Sequence, residues 1–99
     1  MPSQVIWSPQ SQDDFSDILE YLLQNWDKSV LMKFIDMVDE IIYQISQNPK
    51  QFPIIQKQKN IRKCVITKHN SLYYRERKGY IDILRIYDNR QDPRMLKFN

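Results

Sequence analysis

Hydrophobic residues in the first half of the chain recur at helical spacing. After Ser8-Pro9, apolar residues at i, i+3, i+4, i+7, i+8 and i+11 form one stripe, made by Phe15, Ile18, Leu19, Leu22, Leu23 and Trp26. A second stripe with the same period runs over residues 30–45 and includes Phe34 and Ile41. Ser8 and Asp27 are suited to cap two helices, and Asn48-Pro49 to end the second. The very short turn between the stripes predicts an antiparallel helical hairpin.

The second half of the chain changes to the alternating pattern of β-strands. Residues 61–67, 72–77 and 80–87 read as three strands, and the short run 4–7 reads as a first strand before the hairpin. Residues 51–60 read as a polar connector, and Gly79, the only glycine, is suited to a turn with positive φ. Because neither helix can bury its stripe against the other alone, a sheet should cover both. The prediction is an α+β fold of order β-α-α-β-β-β, with an antiparallel sheet covered on one face by the hairpin, and with Phe34 and Ile41 buried between the two layers.

Length and composition restrict the classes of protein that the chain can belong to. Its 99 residues, 41% of them hydrophobic, predict a single domain over residues 1–99 with one core. One cysteine allows no internal disulfide, and the chain contains neither a signal-peptide pattern nor an apolar run long enough to span a membrane. We therefore expect a cytoplasmic protein with no membrane partner. One histidine and one cysteine supply no recognisable metal site, so neither a metal nor another cofactor is expected.

The net charge of +3 conceals an uneven distribution. Residues 1–56 carry three Lys or Arg against eight Asp or Glu, a net charge of −5, whereas residues 57–99 carry twelve against four, a net charge of +8. The predicted sheet is therefore basic and the predicted hairpin acidic. A basic sheet suggests an acidic partner, either nucleic acid or an acidic protein segment, although a solvated sheet face is an equally good reading.

The alternation along the last strands supplies the candidate site. Ile81, Ile83, Arg85 and Tyr87 are predicted to share one face, which we assign to solvent or to a partner because it bears Arg85. Guanidinium groups suit phosphate, and tyrosine rings can stack on unpaired bases, although tyrosines are also ordinary strand residues. The candidate residues for binding a target or partner are Arg62, Lys63, Arg75, Arg85, Tyr87 and Arg90. His69 reads as a turn residue rather than a base, and Cys64 as a structural residue rather than a nucleophile.

With these elements in order, the chain resembles a known family. The residues that carry the resemblance are Val5-Ile6-Trp7-Ser8, the start of the first helix, Ile61-Arg62-Lys63, Leu72-Tyr73-Tyr74-Arg75, and the last strand with the ending Asp88-Asn89-Arg90-Gln91-Asp92-Pro93. They are similar to toxins of the RelE/ParE superfamily from type II toxin–antitoxin systems. The resemblance covers nearly the whole chain, and its specific part is the last strand with the D-x-R-x-x-P ending.

The resemblance implies a small bacterial toxin that arrests growth, stabilises plasmids in some systems, and is neutralised by a cognate antitoxin in a hetero-oligomer. In this superfamily the C-terminal segment of the antitoxin wraps the surface of the toxin. Two mechanisms coexist: RelE-like members cut mRNA in the ribosomal A site, and ParE-like members inhibit DNA gyrase without a hydrolytic site.

The residues favour the ParE-like mechanism. Cleavage of RNA needs a base, an acid and positive charge near the phosphate, and arginine is a poor base because its pKa is too high. RelE-like nucleases often carry Tyr or His close to the C-terminus, whereas residues 95–99 contain neither. We therefore expect a gyrase inhibitor and not an enzyme. The alternative is a ribosome-dependent mRNA endonuclease using Arg62, Arg75, Arg85 and Arg90, and further alternatives are a non-toxic family member or a plain nucleic-acid-binding module.

Overall fold

The computed structural model describes residues 3–98, except for the side chain of Pro93. Two helices, α1 (Pro9–Asn25) and α2 (Lys28–Gln47), follow the first strand, β1 (Gln4–Trp7). Four more strands come after them: β2 (Ile54–Gln56), β3 (Ile61–Val65), β4 (Asn70–Arg77) and β5 (Tyr80–Asp88). A single 3₁₀ turn at Pro93–Met95 precedes the end of the described chain. Among residues 3–98, no helix is both long enough and apolar enough to cross a membrane.

The predicted ends of the helices are confirmed. The Ser8 hydroxyl accepts a hydrogen bond from the Ser11 amide at 3.1 Å, and the Asp27 carboxylate accepts one from the Val30 amide at 3.1 Å. Each bond satisfies a backbone donor that has no partner inside the helix. Gly79 has φ +87° in the turn between β4 and β5, a conformation that side-chain-bearing residues rarely adopt.

The strands form one sheet in the order β1-β5-β4-β3-β2. β1 runs parallel to β5, and every other neighbouring pair is antiparallel. The expectation of a wholly antiparallel sheet is therefore wrong for one pair. The chain reverses direction between β2 and β3, between β3 and β4, and between β4 and β5, and these reversals leave β5 running in the same direction as β1. The connector at 51–60 also contains a strand, β2, which three exposed residues were too few to indicate by alternation.

The core lies between the hairpin and one face of the sheet. Phe34, Val38 and Ile45 of α2 are buried against strand residues that include Tyr74 and Ile83. The first part of the α1 stripe and Ile41 pack against this core while staying partly exposed. The stripe does not remain buried to its end, because Leu23 is 61% and Trp26 60% exposed. The two amphipathic patterns therefore identify the correct faces but overestimate their burial.

A β-bulge in β5 changes which side chains face the helices. Tyr74 pairs with Ile83 and Tyr73 pairs with Arg85, so Leu84 is an extra residue without a partner on β4. Ile83 and Ile86 consequently both enter the core under the helices. Leu84 instead packs with Tyr73 on the opposite side of the sheet, which we call the open face. The expectation that residues 81, 83, 85 and 87 share one face is wrong, since the bulge shifts the alternation.

Candidate functional site

The Arg85 side chain is held by an ion pair with α1. Its Nε and Nη2 atoms donate to the two carboxylate oxygens of Asp14 at 2.7 and 3.0 Å, and only 18% of the Arg85 side chain is exposed. The carboxylate also accepts the Ile86 amide at 3.0 Å. β1 pairs with β5 only as far as Ile83, so Asp14 takes over the free edge of β5 beyond that point. The expectation that Arg85 is a solvent-exposed residue is therefore wrong.

The same arrangement recurs at the other candidate arginines of the last strands. Arg75 lies opposite Asp82 in the sheet, with its Nε 3.5 Å from the carboxylate, too far for a well-formed hydrogen bond. Arg90 donates to both oxygens of Asp88, at 3.0 and 2.8 Å, while its side chain stays 62% exposed. Three of the four candidate arginines thus lie beside a carboxylate.

Arg62 has a different role from the one predicted. Its Nη1 atom donates to the carbonyl oxygens of Lys50 and Phe52, at 3.1 and 2.6 Å. The Tyr74 hydroxyl donates to the carbonyl oxygen of Pro49 at 2.6 Å. Together these two side chains fasten the connector to the sheet, so Arg62 acts at the helix-covered side as a structural residue.

The open face of the sheet does bring several candidates together. Lys63, Tyr73 and Arg85 are paired across three neighbouring strands. This face is covered by the end of the chain, because the ring of Phe98 lies 5.4 Å from that of Tyr73, and the Lys97 carbonyl accepts a bond from Arg85 Nη1 at 3.1 Å. Tyr73 is consequently only 7% exposed, and burial raises its pKa. Lys63 and Arg85 therefore lie on one face of the sheet, and residues 96–98 cover part of it.

The end of this face is closed by a further contact. The Tyr87 hydroxyl donates to the carbonyl of Asp92 at 2.9 Å, and Tyr87 is only 8% exposed. The guanidinium carbon of Arg85 lies 5.9 Å from the centre of the Tyr87 ring. Neither the Tyr73 ring nor the Tyr87 ring is free to stack on an unpaired base while these contacts persist.

A groove of about 740 Å³ opens between the hairpin and the end of β5. Arg85, Tyr87 and Arg90 contribute to its polar side, together with His69. Its other wall is formed by the helical hairpin and includes two carboxylates, those of Asp14 and Asp17, together with Ile18, Tyr21, Leu22, Trp26, Val30, Lys33, Phe34 and Met37. This groove was not predicted, and the only sequence signal for it is that the helical stripe continues past the residues needed for the core.

The groove combines apolar surface with fixed charges at its mouth. Tyr21 and Trp26 line the groove, are 55% and 60% exposed, and supply apolar surface there. The hydrogen bonds from Arg90 lower the pKa of Asp88 to about 2, so this pair is fully ionised at neutral pH. Such a surface is suited to binding a protein segment through apolar anchors and charge complementarity.

Two ionisable groups, the Cys64 thiol and the Tyr74 hydroxyl, stay in their neutral form. Burial raises the pKa of the Cys64 thiol to about 11, and it raises the pKa of the Tyr74 hydroxyl to about 12. Neither forms an anion at neutral pH, so Cys64 is not suited to be a nucleophile. Glu76 lies near the end of β4 and does not line the groove.

One comparison with known proteins identifies a family. A family model described as the ParE toxin of the type II toxin–antitoxin system parDE matches residues 5–93. A search of curated proteins gives no significant match.

Solved structures share the fold at low sequence identity. The chromosomal ParDE system of P. aeruginosa matches with a TM-score of 0.74 at 17% identity, over 87% of this chain and 95% of that one. A YoeB/ParE toxin from Agrobacterium tumefaciens gives 0.63 at 14%, over 87% and 98%. The YoeB dimer from Staphylococcus aureus gives 0.62 at 20%, over 88% and 97%. Because the family model matches nearly the whole length of the chain, the chain belongs to the ParE toxin family of type II toxin–antitoxin systems.

Proposed function

We propose that this toxin arrests bacterial growth by inhibiting DNA gyrase, without hydrolysing a substrate, and that a cognate antitoxin neutralises it in a cytoplasmic hetero-oligomer. The groove between the hairpin and β5 is the proposed contact surface, with Arg90 at its mouth. Stabilisation of a plasmid that carries the toxin and antitoxin genes would follow from this activity.

The engagement of the four arginines carries the proposal. A nuclease needs uncommitted positive charge to stabilise the developing negative charge on phosphate. Arg75, Arg85 and Arg90 are paired with carboxylates, and Arg62 is bonded to backbone carbonyls. The carboxylates beside Arg75, Arg85 and Arg90 would repel an incoming phosphate. The proposal therefore gives these residues binding and structural roles rather than catalytic ones.

One observation supports the second candidate, a ribosome-dependent mRNA endonuclease. Lys63, Tyr73 and Arg85 form a cross-strand row on the open face, which is the mixture of cation and aromatic ring that an RNA strand would need. Within that row, Tyr73 belongs to a cluster against which Leu96 and Phe98 pack, and Arg85 donates to the Lys97 carbonyl. This mechanism would require the end of the chain to move aside before RNA could bind.

The mechanism is tested by a pulse of expression in a bacterial host. Plasmid supercoiling and the DNA-damage response are followed beside the integrity of translated mRNAs over one generation. We expect changes in supercoiling first, with mRNAs intact, and we expect the purified chain to inhibit supercoiling of relaxed plasmid by gyrase. Codon-phased cuts in mRNAs before any effect on DNA would assign the nuclease mechanism instead.

The chain offers a matched pair of variants for locating the contact surface. Arg90 and Arg94 are both exposed, and each forms a bidentate ion pair with the aspartate two residues earlier. Only Arg90 lines the groove. Arg90→Ala should abolish growth arrest while Arg94→Ala should not, and both should remain folded at neutral pH, because an exposed ion pair contributes little to stability. Equal toxicity of the two variants would remove the groove from the proposal.

A further inference from the structure

A stretch of 35 residues in this chain, residues 41–75, contains no Asp or Glu. It carries seven cations, namely Lys50, Lys57, Lys59, Arg62, Lys63, Lys68 and Arg75. The carboxylates that balance the candidate arginines therefore all lie outside it. Arg75 lies beside Asp82, and the other six cations of the stretch form no ion pair within residues 3–98.

This charge is located at one edge of the sheet. The stretch includes β2 and β3, the last two strands in the sheet order. Lys57 and Lys59 are exposed in the turn between them, and Lys50 is exposed in the connector before β2. Among residues 3–98, none of these three lysines lies within ion-pair distance of a carboxylate.

The same edge exposes aliphatic side chains. Ile54 is 43% and Ile55 47% exposed, although both lie in a strand. β2 pairs with β3 only at Arg62 and Ile61, and Val65, further along β3, is 59% exposed. As the terminal strand of the sheet, β2 has no strand on its outer side. Unpaired main-chain groups on an edge strand are a template for an additional strand.

We infer that the β2 edge is a docking site for an extended protein segment that alternates carboxylate and aliphatic residues. Main-chain hydrogen bonds would attach the segment to β2, its aliphatic side chains would cover Ile54 and Ile55, and its carboxylates would meet Lys57 and Lys59. The inference rests on the proposed function only in naming the antitoxin as the source of that segment.

The chemistry of the edge excludes other occupants. A second copy of this chain would bring its own lysines against these ones, and like charges facing each other across strands are destabilising. Single-stranded nucleic acid binds through aromatic rings on which bases stack, and the exposed side chains here are aliphatic. An acidic and aliphatic strand satisfies the charge, the apolar surface and the main-chain groups together.

The test uses the full chain and a fluorescein-labelled seven-residue peptide that alternates Glu and Val. Fluorescence anisotropy measures its affinity, and hydrogen exchange followed by mass spectrometry locates it. We expect binding that weakens as salt rises, with new protection over residues 54–56. The double variant Lys57→Glu/Lys59→Glu should bind the peptide about tenfold more weakly, because it removes two attractions and adds two repulsions.

A matched control changes the net charge equally at another place. Lys28→Glu/Lys33→Glu alters α2 and the groove, and it should leave the peptide affinity within twofold of the parent. Equal loss in both double variants, or protection at the groove instead of residues 54–56, would overturn the inference. So would tighter binding of a labelled oligonucleotide that the β2-edge variant abolishes. These outcomes are read on purified protein and do not depend on whether the chain inhibits gyrase.

Discussion

Removing the Asp14 carboxylate should destabilise the domain more than any other change to a charged residue of α1. The carboxylate accepts three hydrogen bonds, two from Arg85 and one from the Ile86 amide. In Asp14→Ala the guanidinium keeps only its bond to the Lys97 carbonyl, and the edge of β5 loses its only side-chain partner at Ile86.

The magnitude follows from the burial of the pair. Breaking a fully buried ion pair by removing one partner costs about 3–5 kcal/mol. Asp14 and Arg85 retain 16% and 18% side-chain exposure, so water recovers part of that loss. We expect Asp14→Ala to lower the free energy of unfolding by about 2–3 kcal/mol. For a domain of this size that corresponds to a fall in Tm of roughly 10–20 °C.

Urea denaturation followed by circular dichroism measures this difference. Asp13→Ala is the matched control, because Asp13 is the neighbouring residue, is exposed, and shares none of the hydrogen-bond partners of Asp14. Its free energy of unfolding should stay within about 0.5 kcal/mol of the parent's. A double-mutant cycle with Arg85→Ala should give a coupling energy of about 1–3 kcal/mol. If Asp14→Ala and Asp13→Ala unfold at the same urea concentration, the Asp14–Arg85 ion pair does not hold α1 to β5.

Three further outcomes are expected. Phe34→Ala should cost about 3–5 kcal/mol in urea denaturation, against less than about 0.5 kcal/mol for the 46%-exposed Met32→Ala, and similar values would refute the assignment of the core face of α2. The pKa of Asp88 in the folded chain is about 2, below its ordinary value, so the contribution of the Asp88 carboxylate to stability is complete above about pH 4 and is lost as the pH falls toward 2. In Arg90→Ala this dependence of stability on acid pH should shrink, and an unchanged pH profile would contradict the pairing. Iodoacetamide at pH 8 should modify Cys64 slowly in the native chain and quickly in urea, because burial raises the thiol pKa to about 11, and equal rates would contradict its burial.

The local features of the fold could be predicted from sequence because their causes are local. The Ser8 and Asp27 caps, the ends of both helices and the turn at Gly79 depend on residues a few positions apart. The face of α2 that enters the core follows from the 3.6-residue period alone. β2 was missed because its three residues depend on pairing with β3 rather than on a pattern of their own.

The candidate site depended on contacts that sequence does not reveal. The bulge at Leu84 shifts the alternation of β5 by one residue, and no residue type in that strand marks it. The partner of Arg85, Asp14, lies 71 positions earlier in the chain, where its charge suggested only a favourable place near a helix start. Residue composition thus identified the arginines correctly but not the carboxylates that occupy them.

The place of β5 in the sheet has a consequence for how the domain is made. β5 is the last strand to be synthesised, yet it lies in the sheet between β1, the first strand, and β4. Until residues 80–88 leave the ribosome, β1 has no strand to pair with, and the apolar face of the hairpin lacks Ile81, Ile83 and Ile86. Pairing between such distant segments is slow and comes late in folding. A nascent or interrupted chain therefore has no completed core, and any activity of this toxin can begin only after synthesis has passed Asp88.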